Sequence, residues 1–126
     1  MKRYLVDSNI LIYYLGGERA AVEFVRREID RCAISVVNYY EVLNYPFANK
    51  EDEKKVRDFL SLFLSIPVDG AIVERALQNS RKRRIKMADN FIAATALVHD
   101  LIVVTRNGAD FRGIAETLDP FTGRDQ

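Results

Sequence analysis

Three features of the sequence predict an α/β fold. It is expected as a three-layer α/β/α arrangement with a central parallel sheet of four to five short strands. Short, almost wholly apolar runs alternate with helix-patterned stretches. Those runs lack the in–out alternation of a strand wetted on one face. Neither repeats nor low-complexity linkers interrupt the 126 residues. A single domain over 1–126 follows, long enough to bury a real core.

The first run, RYLVD (3–7), reads as a short buried strand, and NILIYYL passes into a helix that Gly16-Gly17 stops. From Glu18 to Arg31, Val22, Val25 and Ile29 keep one apolar face of a second helix. CAIS (32–35) is the second strand, and its Ser35 is a good N-cap for VVNYYEVLNYPF, a helix expected to run to Pro46. Asn49 caps the next helix, whose stripe is Val56, Phe59, Leu60 and Phe63, with Glu51/Lys55 and Glu53/Arg57 at i,i+4 spacing. IPVD (66–69) is expected as the third strand, its Asp69 capping a helix from about Gly70 into the basic run RKRRIK (81–86). ADNFIAATALVHD (88–100) is an alanine-rich helix able to pack closely, LIVVT (101–105) the clearest strand, and AETLDP (115–120) a weaker one beyond the loop RNGADF.

Composition narrows the function classes. No apolar run approaches the roughly 20 residues of a membrane span, and no apolar leader follows Met1, so a cytoplasmic protein is expected. The one cysteine, Cys32, excludes an internal disulfide and a multi-cysteine zinc site and reads as a small buried hydrophobe. RKRRIK holds five positive charges in a chain of net charge +1, so the remaining residues carry a net −4. Such a local cluster can meet a polyanion although the whole chain is nearly neutral; alone, it would read as a solvated helix end.

Parallel α/β sheets gather ligands at the carboxyl ends of their strands. Four acids flanked by apolar sequence fall there or on the helix that follows: Asp7 ends the first strand, Glu41 lies in VVNYYEVL, Asp89 opens the alanine-rich helix, and Asp110 follows LIVVT in TRNGADF with Asn107. Taken singly, Asp7 and Asp89 read as helix caps, Glu41 as a snorkelling side chain and Asp110 as a turn residue. Together they form a set of carboxylates that would repel one another unless a cation neutralised them. Oxygen-only donors, with His99 the sole histidine, favour Mg²⁺ or Mn²⁺ over zinc. His99, near a helix end, reads as a surface residue that partners the helix dipole.

LVDSNILIYYL, SVVNYYEVL, ADNFIAATAL and VVTRNGADF, in that order, resemble a PIN domain of the VapC toxin type, found in toxin–antitoxin pairs; the resemblance spans Tyr4 to about Phe111. It implies a PIN-like fold and a Mg²⁺-dependent endoribonuclease, with Asp7, Glu41 and Asp89 as catalytic metal ligands. The fourth family position, often an acid, is Asn107 here with Asp110 three residues on, and both are carried as candidate ligands. Ser8 and Thr105, beside ligand positions, are candidates to hydrogen-bond the carboxylates. Arg106 and the cluster Arg81, Lys82, Arg83, Arg84 and Lys86 are candidates for the RNA backbone. Tyr13, Tyr14, Tyr39 and Tyr40 are candidate base-stacking residues, with core packing as their other use. The resemblance also implies an RNA substrate, a small antitoxin and a homodimer. Phe59/Phe63 or Tyr40/Leu43 would be the exposed contact stripe.

Two rival enzyme classes fail on residues. A haloacid-dehalogenase-type phosphatase needs an acid two residues after the first Asp, where Asn9 stands; a receiver domain needs an acidic pair near the first strand and a lysine after the last, where the sequence reads TRN. The remaining alternative is a PIN-like RNA- or protein-binding module that is catalytically weak or inactive, for which Asn107 is the one favouring feature.

Overall fold

A computed structural model describes residues 1–122, 124 and 125. Its strands are β1 (Tyr4–Val6), β2 (Cys32–Ser35), β3 (Leu64–Ile66), β4 (Ile102–Val104), β5 (Thr117–Asp119) and β6 (Arg124–Asp125). The helices are α1 (Ser8–Leu15), α2 (Arg19–Glu28), α3 (Val36–Leu43), α4 (Lys50–Leu60), α5 (Gly70–Lys82) and α6 (Met87–His99). The sheet order is β3-β2-β1-β4-β5-β6; β1 to β5 are parallel, and only β6 is antiparallel, on β5.

Alternate strand residues feed two cores. Tyr4, Val6, Cys32, Ile34 and Val104 face α1, α2 and α4, meeting Ile10, Leu11, Phe24, Val25 and Leu60. Leu5, Ala33 and Val103 face the other way onto Ile72 and Ala76 of α5 and Ile92, Ala93, Ala94 and Ala96 of α6. The small side chains of α6 bring its backbone close to the sheet, which is why an alanine-rich helix of little amphipathic contrast is nonetheless buried. The expected three layers are present.

Local chemistry sets the boundaries. The Asp7 carboxylate accepts from Ser8 N at the start of α1. Ser35 and Asn38 form a reciprocal capping box on α3, and Asn49 and Asp69 cap α4 and α5. Three boundaries differ from expectation. The third strand lies at Leu64–Ile66 rather than 66–69, because Ala33, Ile34 and Ser35 pair with Leu64, Ser65 and Ile66, leaving Pro67 outside the ladder. Helix α3 ends at Leu43, with Asn44 as its C-cap, before Pro46 is reached. The second helix gives way to a 3₁₀ turn over Ile29–Arg31.

The chain order creates one crevice. From β1 it winds outward through β2 and β3, then returns to place β4 on the other flank of β1. The direction in which the chain winds across the sheet therefore reverses between the parallel neighbours β1 and β4, the position where open α/β sheets bind ligands. Asp7 and Thr105 are the residues immediately after those two strands.

Candidate active site

The rim of this crevice is built around Asp7. Its side chain is buried, and four groups reach it: Ser8 N (2.8 Å) and Asn38 Nδ2 (3.4 Å) donate to Oδ1, while Thr105 Oγ1 (2.9 Å) and Asn9 Nδ2 (3.2 Å) donate to Oδ2. Thr105 Oγ1 in turn accepts from Asn9 Nδ2 and from Asn107 N, both at 3.0 Å. Helix α3 joins through Asn38, which donates to Ser8 Oγ (3.0 Å) while its own Oδ1 accepts from Ser35 N. Ser8 Oγ donates to Glu41 Oε1 at 2.6 Å. Side chains from α1, α3 and the loop after β4 thus share one network.

Burial pushes the Asp7 carboxyl up to about 6; the donors from Ser8 and Thr105 oppose this, and the charges of Asp89 and Glu41 add to it. Asp89, half-buried at the start of α6, is also raised, by burial first and then by the charges of Asp110 and Glu41, with Lys86 and Arg83 opposing. The four acids picked from the sequence therefore influence one another, as a convergent set must. They do not form a ready-made ion cage: among the described residues no three acidic, histidine or cysteine side chains stand where one metal ion would join them. Glu41 is turned onto Ser8. The donor chemistry fits a hard divalent cation, since the groups on this rim offer oxygen and carry mutual repulsion that such an ion offsets.

Asp89 opens onto a cleft of about 250 Å³ lined by Arg83, Arg84, Ile85, Lys86, Asp89, Ala109 and Asp110. The α5–α6 turn supplies its basic wall, and the 3₁₀ turn Gly108–Phe111 the opposite one. Arg83 differs from its neighbours. Its guanidinium donates to the carbonyl oxygens of Arg84 and Arg112, each at 3.0 Å, and to that of Asp110, and so ties the two walls together. Arg81, Lys82, Arg84 and Lys86 are exposed and make no salt bridge among the described residues. Behind the turn, Asn79 donates to Asn90 Oδ1, and Asn90 Nδ2 donates to Ala76 O and Ser80 Oγ, fixing α6 and hence Asp89 against α5.

The tyrosines divide. Tyr14 stacks on Phe59 (4.4 Å, 6°), Phe59 meets Phe63 edge-on, and Phe63 is buried, so the Phe59/Phe63 stripe is core and no free contact surface. Tyr39 accepts from Arg57 Nη1. Tyr13 packs edge-on against Phe121. Of the four candidate base-stacking tyrosines Tyr40 is the exposed one, beside half-buried Leu43. His99 lies on the surface, as expected.

Sequence reading passed over Asn9, Asn38 and Phe121. Asn38 sits three residues before Glu41 and three after Ser35, a capping-box position that could have been read. Nothing local marks Phe121, whose importance comes from contacts across the sheet.

The PIN domain family model matches residues 4–117. Ribonuclease VapC10 of Mycobacterium tuberculosis (strain H37Rv) is 33% identical over 124 residues, covering 93% of this chain and 92% of that protein. A toxin-antitoxin complex from Klebsiella pneumoniae contains a chain 34% identical, with TM-score 0.81, covering 93% of this chain and 97% of its own. FitAcB from Neisseria gonorrhoeae, 22% identical with TM-score 0.79 and coverage of 94% and 98%, shares the fold.

Proposed function

The chain belongs to the PIN-domain family, and from that premise we propose that it is a Mg²⁺- or Mn²⁺-dependent endoribonuclease, the toxin of a toxin–antitoxin pair. The observation that carries this reading is the buried Asp7 at the β1/β4 crevice, raised to about 6 partly by the charges of Asp89 and Glu41. Carboxylates from three separate elements bear on one another where such sheets bind ligands. The similarity to Ribonuclease VapC10 and to the Klebsiella pneumoniae complex supports the substrate class and the antitoxin.

Asp7, Glu41 and Asp89 would hold the cation, which when bound polarises the scissile phosphate and lowers the pKa of water. The chain's own residues prepare that chemistry. Ser8 N, Asn9, Asn38 and Thr105 fix both oxygens of Asp7 in one orientation. Ser8 Oγ holds Glu41 at the edge of the site, from where a carboxylate takes up either a ligand position or the proton of the attacking water. Asn107 and Asp110 are the candidates for the fourth position: Asn107 is anchored through its N–H to Thr105, and Asp110 faces Asp89 electrostatically. The exposed Arg81, Lys82, Arg84 and Lys86 draw the RNA backbone toward Asp89, while Arg83 holds the cleft walls. An antitoxin would cover the rim, and exposed Tyr40 with Leu43 is the candidate homodimer stripe. Activity in the cytoplasm is part of the same reading.

Incubating the purified protein with total RNA tests it. Cleavage that requires Mg²⁺ or Mn²⁺, stops with chelator and is lost in Asp7→Asn is the expected result; RNA left intact under all metal conditions refutes it. The second reading, a binding module without cleavage, is favoured by Asn107 and by the absence of a ready-made three-carboxylate cage among the described residues. RNA binding with no metal-dependent cutting would select it.

A further inference from the structure

Arg106 follows Thr105 directly and lies over two aromatic rings, whereas Arg3, Arg27 and Arg31 each lie over one, at 5.6 to 5.8 Å. Its Cζ lies over the Phe121 ring, 4.0 Å from the centroid, and 5.1 Å from that of Tyr13. The two rings meet edge-on at 5.3 Å, forming an aromatic corner beneath the guanidinium. The residue is exposed, and among the described residues its guanidinium makes no salt bridge or hydrogen bond. Its backbone is tied down: Arg106 N donates to Asn9 Oδ1 (3.2 Å), and the same Asn9 donates to Asp7 Oδ2 (3.2 Å). Two hydrogen bonds therefore connect this corner to the buried carboxylate.

We infer that Tyr13, Arg106 and Phe121 form a stacking platform for one unpaired ribonucleobase next to the scissile phosphate. The inference rests on the nuclease reading and adds a base-recognising subsite to it. A guanidinium is planar and weakly hydrated, so with one face on an aromatic ring its other face is free to take a base. A phosphate contact needs charge alone, whereas this placement holds the charge over a ring, its backbone tied through Asn9 to Asp7. Stacking is open to unpaired bases only, so the platform takes a base that is free of pairing. Asn9 links this platform to Asp7, so a bound base and the carboxylate keep a fixed relation.

The test uses a short single-stranded RNA of mixed sequence with 2-aminopurine placed at each position in turn, with chelator present to prevent cutting. Wild-type protein is expected to quench the fluorescence at one position. Arg106→Lys keeps the charge and Phe121→Leu removes the ring; each should abolish that quenching and weaken binding roughly tenfold, while Arg106→Lys leaves the salt dependence unchanged. Phe121→Leu decides the matter if an Arg106 variant fails to fold, with thermal melting as the control. Quenching that survives both variants, or affinity that follows charge alone, overturns the platform. RNA that is quenched at one position yet never cut when Mg²⁺ is supplied would keep the platform and refute the nuclease; cutting without quenching would do the reverse.

Discussion

Asp7 and Asp89 bear the same functional group, yet the fold treats them in opposite ways. Asp7 is 6% exposed and receives four donors from α1, α3 and the loop after β4. Asp89 is half-buried at the lip of an open cleft, and no group among the described residues donates a hydrogen bond to its carboxylate. Both are raised above the ordinary carboxylate range, with burial the largest cause. At Asp7 hydrogen bonds hold the charge in check; at Asp89 the cations lining the same cleft do, Lys86 and Arg83. One carboxylate is oriented before any ligand arrives, while its counterpart is left able to move toward one. Under the proposed function, one fixed wall and one adjustable wall would let an ion and a nucleic-acid strand share the same place.

The largest test of that contrast removes each charge in turn. Asp7→Asn and Asp89→Asn should each lower the metal-dependent cleavage rate by more than about a hundredfold, since even hydrogen-bonding partners of ligands cost roughly 10- to 100-fold. Either variant cutting at the wild-type rate would remove that residue from the site.

Stability against pH is the second test. With the unfolded Asp7 near 3.8 and the folded carboxyl at about 6, the native state binds more protons between these values. Metal-free protein should therefore lose stability as pH rises from about 4 to 6 and carry the full penalty above that, of order 3 kcal/mol. Denaturant titrations in chelator should show this fall and the loss of most of it in Asp7→Asn. Asp89→Asn should flatten the curve less, because its group is partly solvated.

Thr105→Val removes the hydroxyl at the centre of the Asp7 network with little change of shape. A loss of about 1–3 kcal/mol is expected, together with reduced cleavage, because Asp7 Oδ2, Asn9 and Asn107 N all lose a partner. Asp110→Asn, on the open wall, should leave the melting temperature nearly unchanged. Equal destabilisation by the two would end the distinction between fixed and adjustable walls.

The smallest effect separates neighbours in the basic run. Arg84→Ala should reduce the salt slope of RNA binding by about one, leaving thermal stability unaltered. Arg83→Ala should chiefly lower stability, since its guanidinium binds two carbonyls across the cleft, those of Asp110 and Arg112, and that of its neighbour Arg84. Salt titrations and melting curves of the two variants, measured side by side, check the pair.

Much of this was legible in the chain. β1, β2, β4 and the caps at Ser35, Asn49 and Asp69 rest on local patterns, apolar runs and capping chemistry, and the candidate acids Asp7, Glu41, Asp89 and Asp110 are picked out by their apolar surroundings. The misplaced β3 shows the limit. Leu64 and Ser65 are exposed and carry no inward pattern, so only pairing with β2 makes them a strand. Phe59 and Phe63 looked like a free stripe because their partner Tyr14 lies more than forty residues away.

The sequence by itself determined the layered α/β class and marked out the acids set in apolar surroundings, since these follow from residue type and nearby periodicity. Tertiary structure alone decided that Arg83 clamps the cleft while Arg84 stays free, that Asn9 and Asn38 hold Asp7, and that Phe121 underlies Arg106. Each of these depends on atoms brought together by sheet order, and a short-range pattern along the chain carries no record of such meetings.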